Sequence, residues 1–472
     1  MIVQQFFVKK IAHSSYLLGA DKQCAIIDPR RDVDIYIKAA EEWGMKITHI
    51  LETHLHADFV SGHMDLAEKT GARIYMPKSA NAKFDHIALS EGDTFSFESL
   101  KFDIIETPGH TPEHISYIVT DRERGEEPIS LFCGDTLFVG DVGRPDLFPG
   151  RADELAEKLH TSLFEKILKL PDHVEVYPAH GAGSLCGKAM GAKRTSTLGY
   201  EKKFNNILQH RELHKFKEIL LAGMPEVPDH FARCSAINGQ GPAEVGSLPP
   251  VEDIKPSKFL ELSQKDAFVV LDVRNYDGFS GHHVPNSYHV SYYGNFPIFS
   301  GWIIPPDKKI LLVTEDKEQA LDAVIWLRRV GLDNVHGFLQ GGIVEWAKQG
   351  LPTGSVELIS AVELHDMIEE GKEKITLVDT RSPGEFEGHH IEGAVSIPTP
   401  ELRTRYSELK KSDRLILLCN SGNRSSLGIS ILMQHGFKGL TNLAGGMTGF
   451  SAAGYAPKCP ICSAPHLPIN KD

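Results

Sequence analysis

The sequence predicts an α/β protein, in which a layered αββα sandwich precedes two domains that each contain a doubly wound parallel sheet. Residues 1–120 alternate apolar strand-like runs with Gly, Pro and Asp turns, several of them rich in His. The segment 270–287 recurs at 377–394, so that Asp272 and Asp379 are 107 residues apart. Strands and helices alternate within each copy, which is typical of a parallel sheet.

Length and composition exclude several classes of protein. The 472 residues are 41% apolar and 24% charged, which predicts roughly two to four globular domains. The formal net charge is −13 and the Lys and Arg residues form no run, so nucleic acid is excluded as a partner. The chain has neither a long apolar run nor a signal-peptide pattern, so we expect no membrane association. Seven scattered cysteines suit a reducing cytoplasm.

Helical spacing and turn-rich segments set the expected domain boundaries. Apolar residues at helical spacing predict a helix over 151–170, which Pro171 ends, and a second helical stretch near 194–222. The Gly- and Pro-rich segment 237–250 predicts the end of the first domain. We expect a first domain, a first copy of the repeated module, a second copy and a tail, with the bounds 1–245, 251–353, 357–457 and 458–472.

Four groups of His and Asp close apolar strands of the first domain. They lie at residues 53–58, 108–112, 133–136 and 177–181. Because each group follows a predicted strand, four loops can converge on one point. Imidazole and carboxylate ligands together suit zinc, iron or manganese. The sequence therefore predicts a metal site in this domain.

These motifs resemble the metallo-β-lactamase superfamily, in which His-x-His-x-Asp-His is followed by later His, Asp and His. The resemblance covers about residues 1–235. Phe59 stands where the last His of the first motif would be, and Phe cannot ligate a metal. A dinuclear thioester hydrolase of the glyoxalase II kind is therefore the alternative, and a mononuclear site is favoured. The closer resemblance is to persulfide dioxygenases.

The resemblance to persulfide dioxygenases implies one Fe(II) per chain, held by two histidines and one carboxylate, with zinc as the alternative. It implies the ligands His54, His110 and Asp135. Three further residues would orient ligands or serve as alternative ligands: His56, Asp58 and His180. The substrates would be a small-molecule thiol persulfide and O₂, and the family is often dimeric, which implies a homodimer.

Three other residues of the first domain are candidates for contact with substrate. Arg144 could pair with Asp58 or Asp146 near the metal, or it could bind carboxylates of the substrate. A purely structural ion pair explains Arg144 equally well. Cys186, six residues after His180, could accept or relay sulfur, and its alternative is a buried packing residue.

The second copy carries a cysteine loop between a strand and a helix. Cys419 follows the apolar run LILL, and Arg424 stands at the end of a six-residue span. Backbone amides, the helix N-terminus and the Arg would together stabilise a thiolate or persulfide anion. The loop resembles that of rhodanese sulfurtransferases, which implies that Cys419 and Arg424 are catalytic and that Gly422 and Ser425 contact substrate. Phosphatases use a similar loop, but the span and the flanking segments favour sulfur transfer.

The first copy has Thr314 where the second has Cys419, and Glu315 and Asp316 follow it. A loop without a thiol is not expected to transfer sulfur, so we interpret the first copy as an inactive spacer or docking module. In the tail, Cys459 and Cys462 with one His supply three metal ligands, whereas a closed zinc site needs four, so no metal is assigned there.

Together the motifs predict an enzyme that oxidises a thiol persulfide to sulfite and thiol and moves sulfur between persulfide, sulfite and thiosulfate through Cys419. Two alternatives remain: a metal-dependent thioester hydrolase with a fused sulfurtransferase, and a non-enzymatic sulfur carrier with an inert metal site.

Overall fold

A computed structural model describes residues 1–371 and 374–455, which form two compact units. The first unit contains residues 1–248 together with 325–333, and the second contains 249–324 and the described residues from 334 to 455. Within the described ranges, each helix is either too short or too polar to cross a lipid bilayer.

Two six-stranded sheets form the centre of the first unit. The first sheet has the order β1-β2-β3-β4-β5-β6 and the second has the order β14-β13-β10-β9-β8-β7, while β11 and β12 form a separate ribbon. The strands are Ile2–Val8 (β1), His13–Ala20 (β2), Gln23–Ile27 (β3), Lys46–Leu51 (β4), Arg73–Pro77 (β5), Ile87–Leu89 (β6), Thr94–Phe97 (β7), Leu100–Glu106 (β8), Ile115–Asp121 (β9), Ser130–Gly134 (β10), Leu137–Phe138 (β11), Asp141–Val142 (β12), Glu175–Pro178 (β13) and Ser196–Thr197 (β14).

Helices cover the outer face of each sheet, which gives the predicted αββα order of layers. Leu18 and Phe102 belong to the apolar core between the sheets. Tyr36 packs against the outer face of the first sheet, and Leu159 packs against that of the second. The helices of this unit are Asp34–Glu42 (α1), His63–Thr70 (α2), Ala152–Thr161 (α3), Leu198–Phe204 (α4), Leu213–Leu221 (α5) and His230–Gln240 (α6).

The predicted helices are found, with interruptions. Helix α3 continues as a π-turn over Ser162–Lys166 and a 3₁₀ turn over Ile167–Lys169 before Pro171. The stretch predicted near 194–222 is two helices, α4 and α5, with a 3₁₀ turn between them. Helix α6 extends into the segment in which a domain boundary is predicted.

The second unit contains two five-stranded parallel sheets of identical topology, as the sequence repeat predicts. Their orders are β15-β19-β18-β16-β17 and β20-β24-β23-β21-β22. The strands are Glu252–Ile254 (β15), Phe268–Asp272 (β16), Tyr288–His289 (β17), Lys309–Val313 (β18), Val335–Leu339 (β19), Glu357–Ile359 (β20), Ile375–Asp379 (β21), Val395–Ser396 (β22), Arg414–Leu418 (β23) and Leu440–Leu443 (β24).

Helices connect the parallel strands, since a parallel pair needs a crossover connection. Each copy has an apolar core of its own, around Trp346 in the first copy and Leu418 in the second. The helices are Pro256–Ser263 (α7), Tyr276–Gly281 (α8), Phe296–Ile303 (α9), Lys317–Arg329 (α10), Gly342–Lys348 (α11), Ala361–Glu370 (α12), Pro383–Gly388 (α13), Leu402–Arg405 (α14), Asn423–Gln434 (α15) and Gly446–Ala452 (α16).

Candidate metal centre and cysteine loop

A chain of hydrogen bonds sets the ring of His54, in the loop after β4. The Thr53 hydroxyl donates to the Asp28 carboxylate at 3.0 Å and can therefore accept from Nδ1 of His54, which lies 2.9 Å away. The Thr53 backbone N–H also donates to Asp28, at 2.8 Å. Metal-bound histidines commonly donate their other ring nitrogen in this way. Nε2 is then the His54 atom that is free to ligate.

His110 and Asp135 reach the same point from two other loops. Nδ1 of His110 donates to the backbone carbonyl of Arg144 at 2.9 Å. Oδ2 of Asp135 lies 3.3 Å from Nε2 of His110 and 3.9 Å from Nε2 of His54. The candidate ligand atoms of His54, His110 and Asp135 all lie within 4.8 Å of one another. The loops predicted from sequence do converge.

This donor set fits a metal ion with three protein ligands. Among the described residues, the buried Nε2 atoms of His54 and His110 have no hydrogen-bond partner. An unpaired buried polar atom is costly, and a cation between the two rings would satisfy both. Burial lowers the pKa of both rings and keeps them in the neutral form that ligates metals. Two imidazoles and one carboxylate suit iron and also zinc.

His180 links this cluster to a second buried group. Its Nδ1 lies 2.8 Å from Oδ1 of Asp135, and its Nε2 lies 2.9 Å from Oδ2 of Asp58. Burial lowers the pKa of His180, but the charges of Asp135 and Asp58 outweigh burial and raise it. Cys186 completes a group with Asp58 and His180 whose ligand atoms also lie within 4.8 Å of one another. Burial raises the pKa of the Cys186 thiol to about 12.

His56 belongs to a different set of contacts. Its Nε2 lies 3.1 Å from Oδ1 of Asp28 and 3.5 Å from Oε2 of Glu52. Phe59 is fully buried, and the centre of its ring is 4.5 Å from that of His56 and 4.1 Å from that of His13. Phe59 therefore contributes aromatic packing at the position in the motif where the superfamily has a ligand.

Arg144 is a buried structural residue of the loop after Asp135. Its guanidinium makes two hydrogen bonds to Asp146, at 2.7 and 2.8 Å, and donates to the carbonyls of Leu185 and Pro225. Of the alternatives open from sequence, the structure contains the pair with Asp146. Because four hydrogen bonds engage the buried guanidinium, these contacts favour the structural role over the binding of substrate carboxylates.

Two histidines near the cluster are not predicted from sequence. Nε2 of His114 accepts a hydrogen bond from the backbone N–H of Asp135 at 3.0 Å. Burial lowers the pKa of His114 to about 3, so the ring is neutral and can accept. His13 is buried, with its ring centre 5.7 Å from that of His56 and 5.5 Å from that of His180. His114 lies four residues after His110, a signal that sequence reasoning could have used, whereas His13 stands in no motif.

A cavity of about 450 Å³ borders the metal-site loops. Leu55 and Thr111, which directly follow His54 and His110, line it together with Phe148 and Phe231. Cavities of this size and apolar character bind small organic molecules. The cavity could hold the carbon skeleton of a substrate beside the cluster.

The second copy holds Cys419 at the end of β23, in a tight loop before α15. Its Sγ accepts from the backbone N–H of Gly422 at 3.2 Å and lies 3.4 Å from the Ser425 hydroxyl. Gly422 has a φ of +99°, a conformation that side chains disfavour, and it is the N-cap residue that directly precedes helix α15. The amide, the hydroxyl and the helix N-terminus can together stabilise an anionic sulfur, as the motif predicts.

Arg424 lies in this loop as predicted from the motif, and its guanidinium is paired with a carboxylate. It makes two hydrogen bonds to Glu385, at 2.6 and 2.7 Å, and Asn420 donates to the same carboxylate at 2.7 Å. Partial burial favours a higher pKa for Glu385, but the hydrogen bonds from Arg424 and Ser382 and the Arg424 charge outweigh it and lower the pKa to about 2. Glu385 is a site residue that the sequence motif does not reveal.

The first copy presents a different loop at the equivalent position. The Thr314 hydroxyl donates to the backbone carbonyl of Asp316, and Gln319 accepts from the backbone N–H of Glu315. The side chains of this loop thus hydrogen-bond within the loop. Cys459 and Cys462 of the tail lie outside the described residues.

Comparisons with known proteins identify a family for the first domain and for each of the two repeated modules. Residues 9–180 match the metallo-beta-lactamase superfamily, and residues 255–349 and 360–453 each match the rhodanese-like domain. The chain is 34% identical to a metallo-beta-lactamase of Staphylococcus aureus of known crystal structure, which it matches with a TM-score of 0.65 over 72% of this chain and 99% of that one. The chain belongs to the metallo-β-lactamase superfamily, and it carries two rhodanese-like domains after the metallo-β-lactamase domain.

Two enzyme classes are represented among the curated relatives of this chain. The hydroxyacylglutathione hydrolase of Pseudomonas entomophila is 35% identical over 34% of this chain. The mitochondrial persulfide dioxygenase ETHE1 of Mus musculus is 28% identical over 47% of this chain and 86% of its own length. The match covers only 58% of the length of the first of these relatives.

Proposed function

We propose that this chain is an iron-dependent persulfide dioxygenase that also transfers sulfur through Cys419. The observation that carries the first part is the cluster of His54, His110 and Asp135, in a chain whose motif has Phe59 in place of a further ligand. These two imidazoles and one carboxylate would hold an iron ion, which would supply binding of a substrate sulfur and of O₂. The similarity to the mouse persulfide dioxygenase, 28% identical over 47% of this chain, supports the proposal.

Fe(II) bound there would supply the activation of O₂ and a binding position for the persulfide sulfur. The chain's own residues hold the site in shape. Thr53 fixes the ring of His54, the Arg144 carbonyl fixes that of His110, and His114 holds the backbone at Asp135. The cavity beside Leu55 and Phe231 would bind the carbon skeleton of the thiol and limit access of water.

The proposed reaction consumes R–S–SH, O₂ and water, and it yields R–SH, sulfite and protons. The terminal sulfur is oxidised and O₂ is reduced. The buried groups His180, Asp58 and Cys186 adjoin Asp135 and would orient ligands or serve as alternative ligands. The buried thiol of Cys186 is the further candidate for contact with the sulfur substrate.

In the second copy, Cys419 would carry the sulfane sulfur as a persulfide, stabilised by Gly422, Ser425 and the N-terminus of α15. The first copy would transfer no sulfur, because Thr314 replaces the thiol. Sulfite from the first domain and sulfur on Cys419 are together the components of thiosulfate, which links the two activities.

A metal-dependent thioester hydrolase is the second candidate, because two Pseudomonas hydroxyacylglutathione hydrolases are 35% and 36% identical to this chain over 161 and 164 residues. Such an enzyme would use a metal-activated water. Asp58 and His180 would then serve a second metal ion. The two candidates differ in metal stoichiometry, in the need for O₂ and in substrate.

Metal analysis of anaerobically purified protein tests the proposal. We expect about one iron per chain, O₂ uptake with glutathione persulfide and sulfite as the product. His110→Ala should lose both the iron and the O₂ uptake, because only two ligands remain. His173→Ala is the matched control, since His173 is an exposed histidine of the same domain, and it should retain both. Two zinc ions per chain with thioester cleavage and no O₂ uptake would overturn the proposal in favour of the hydrolase.

A further inference from the structure

A cavity of about 350 Å³ lies against the Cys419 loop, and both rhodanese-like copies line it. The second copy contributes residues of the loop and of α15, among them Ser421 and Arg424. The first copy contributes most of the wall, from the segment 290–299. The thiol-less copy is therefore part of the surroundings of the catalytic loop.

The wall from the first copy is partly aromatic. Tyr293 and Phe299 line the cavity, and Tyr293 is 55% exposed. Ser291 and Asn295 add polar groups beside them. A surface that combines aromatic faces with a few polar groups recognises an organic molecule. An inorganic anion uses little of such a surface.

The charges at the cavity also favour an organic molecule over an inorganic anion. Among the described residues that line it, Arg424 is the only cation, and its guanidinium is paired with Glu385 through two hydrogen bonds. Arg381, which lies 3.5 Å from Asn420 of the loop, is buried and paired with Asp379 at 2.7 Å. The Glu385 carboxylate therefore offsets the positive charge that Arg424 presents to a thiosulfate dianion in this cavity.

We propose that the first rhodanese-like copy is the recognition wall of the sulfurtransferase, and that the wall selects an organic persulfide over thiosulfate as the sulfur donor to Cys419. The inference rests on the proposed role of Cys419 and adds the class of donor. The Cys419 thiolate attacks the terminal sulfur of R–S–SH, the S–S bond of the donor breaks, and R–S⁻ leaves. The product is Cys419–S–SH, and no external oxidant or reductant is needed.

Single-turnover loading of the full-length protein tests this inference. The experiment is anaerobic, so that the first domain cannot consume the donor. Glutathione persulfide and thiosulfate are supplied separately, and the peptide that contains Cys419 is measured by mass spectrometry for one added sulfur. We expect glutathione persulfide to load Cys419 at least about tenfold faster than thiosulfate.

Variants of the wall should reduce that preference. Tyr293→Ala and Phe299→Ala should each lower the ratio of the two loading rates about tenfold, because an aromatic contact with the organic part is lost. Val344→Ala is the matched control, since Val344 is an exposed apolar residue of the same copy that does not line the cavity, and it should leave the ratio unchanged. Glu385→Gln should raise the thiosulfate rate about fivefold, because Arg424 then lacks its anionic partner.

The outcomes separate this inference from the proposed function. Equal loading by both donors in the wild type, or an unchanged ratio in both wall variants, would overturn the recognition wall while the role of Cys419 stands. Sulfur found on the protein at the wild-type level after Cys419→Ser would instead overturn the role of Cys419 itself.

Discussion

Equivalent residues of the two rhodanese-like copies make nearly the same supporting contacts, which are called the frame below. Arg274 pairs with Asp272 at 2.6 Å and donates to the carbonyl of His282 at 2.7 Å, and Arg381 repeats these contacts with Asp379 and His389 at 2.7 and 2.6 Å. The rings of Phe279 and His283 stack as those of Phe386 and His390 do. The Asp-x-Arg and Gly-His-His motifs therefore maintain the fold and do not identify the active copy.

The copies differ in the loop that follows the central strand. In the second copy the Gly422 amide and the Ser425 hydroxyl surround a sulfur atom, whereas in the first copy the Thr314 hydroxyl donates to its own loop. Glu385 of the second copy is also replaced, since Gly278 stands at its position in the repeat. The comparison teaches that the two copies share the contacts that support the fold and differ in the loop that could carry chemistry, which is the basis of the different roles proposed for them.

The largest expected effect comes from moving the thiol between the copies. Cys419→Ser should reduce sulfur loading by at least about 1,000-fold while O₂ uptake by the first domain continues. Adding Thr314→Cys to that variant should not restore loading, because the first copy has no counterpart of Arg424. Cyanide-released thiocyanate measures loading with glutathione persulfide. Restored loading at position 314 would contradict the assignment of the first copy as inactive.

An intermediate effect is expected from breaking the shared frame. Arg274→Gln and Arg381→Gln should each destabilise the protein by about 3–5 kcal/mol, because a buried aspartate loses its partner. Arg405→Gln, which removes an exposed pair with Glu408, should cost at most about 1 kcal/mol. Urea denaturation followed by circular dichroism compares the three. A large loss for Arg381 alone would mean that the two frames are not equivalent.

The smallest expected effect is a pH dependence confined to the second copy. The pKa of Glu385 is lowered to about 2 in the folded protein, below its usual value of about 4.5. The Glu385–Arg424 pair therefore stabilises the fold fully above about pH 4.5, and this contribution is lost as pH falls toward 2. The difference in Tm between wild type and Glu385→Gln should shrink between pH 6 and pH 3.5. A difference in Tm that stays constant over this pH range would show that the Glu385–Arg424 pair does not contribute to the stability of the fold.

Most of the candidate metal site is predictable because its residues stand at strand ends in recognisable spacings. His54, His110 and Asp135 form the cluster that the motifs indicate. His13 is not predictable, because it reaches the site only through the way the sheets pack. Glu385 is also not predictable, because its partner Arg424 lies 39 residues away in sequence. Tyr293 is not predictable because the loop that it faces across the cavity belongs to the other copy. Sequence spacing identifies candidate ligands and nucleophiles. It does not identify the residues that pair with the charged groups of a site or line the cavity around it.

The contacts of Tyr276 have a consequence for folding. Its hydroxyl accepts from the backbone N–H of Gly445 at 3.3 Å, and its ring lies so close to Gly422 that a Cβ there would approach within 3.0 Å. A residue of the first copy thus supports two glycine turns beside Cys419. The second copy expressed alone would lose this support, and its loop would open more readily to solvent. We therefore expect the order of the Cys419 loop to depend in part on the folding of the first copy.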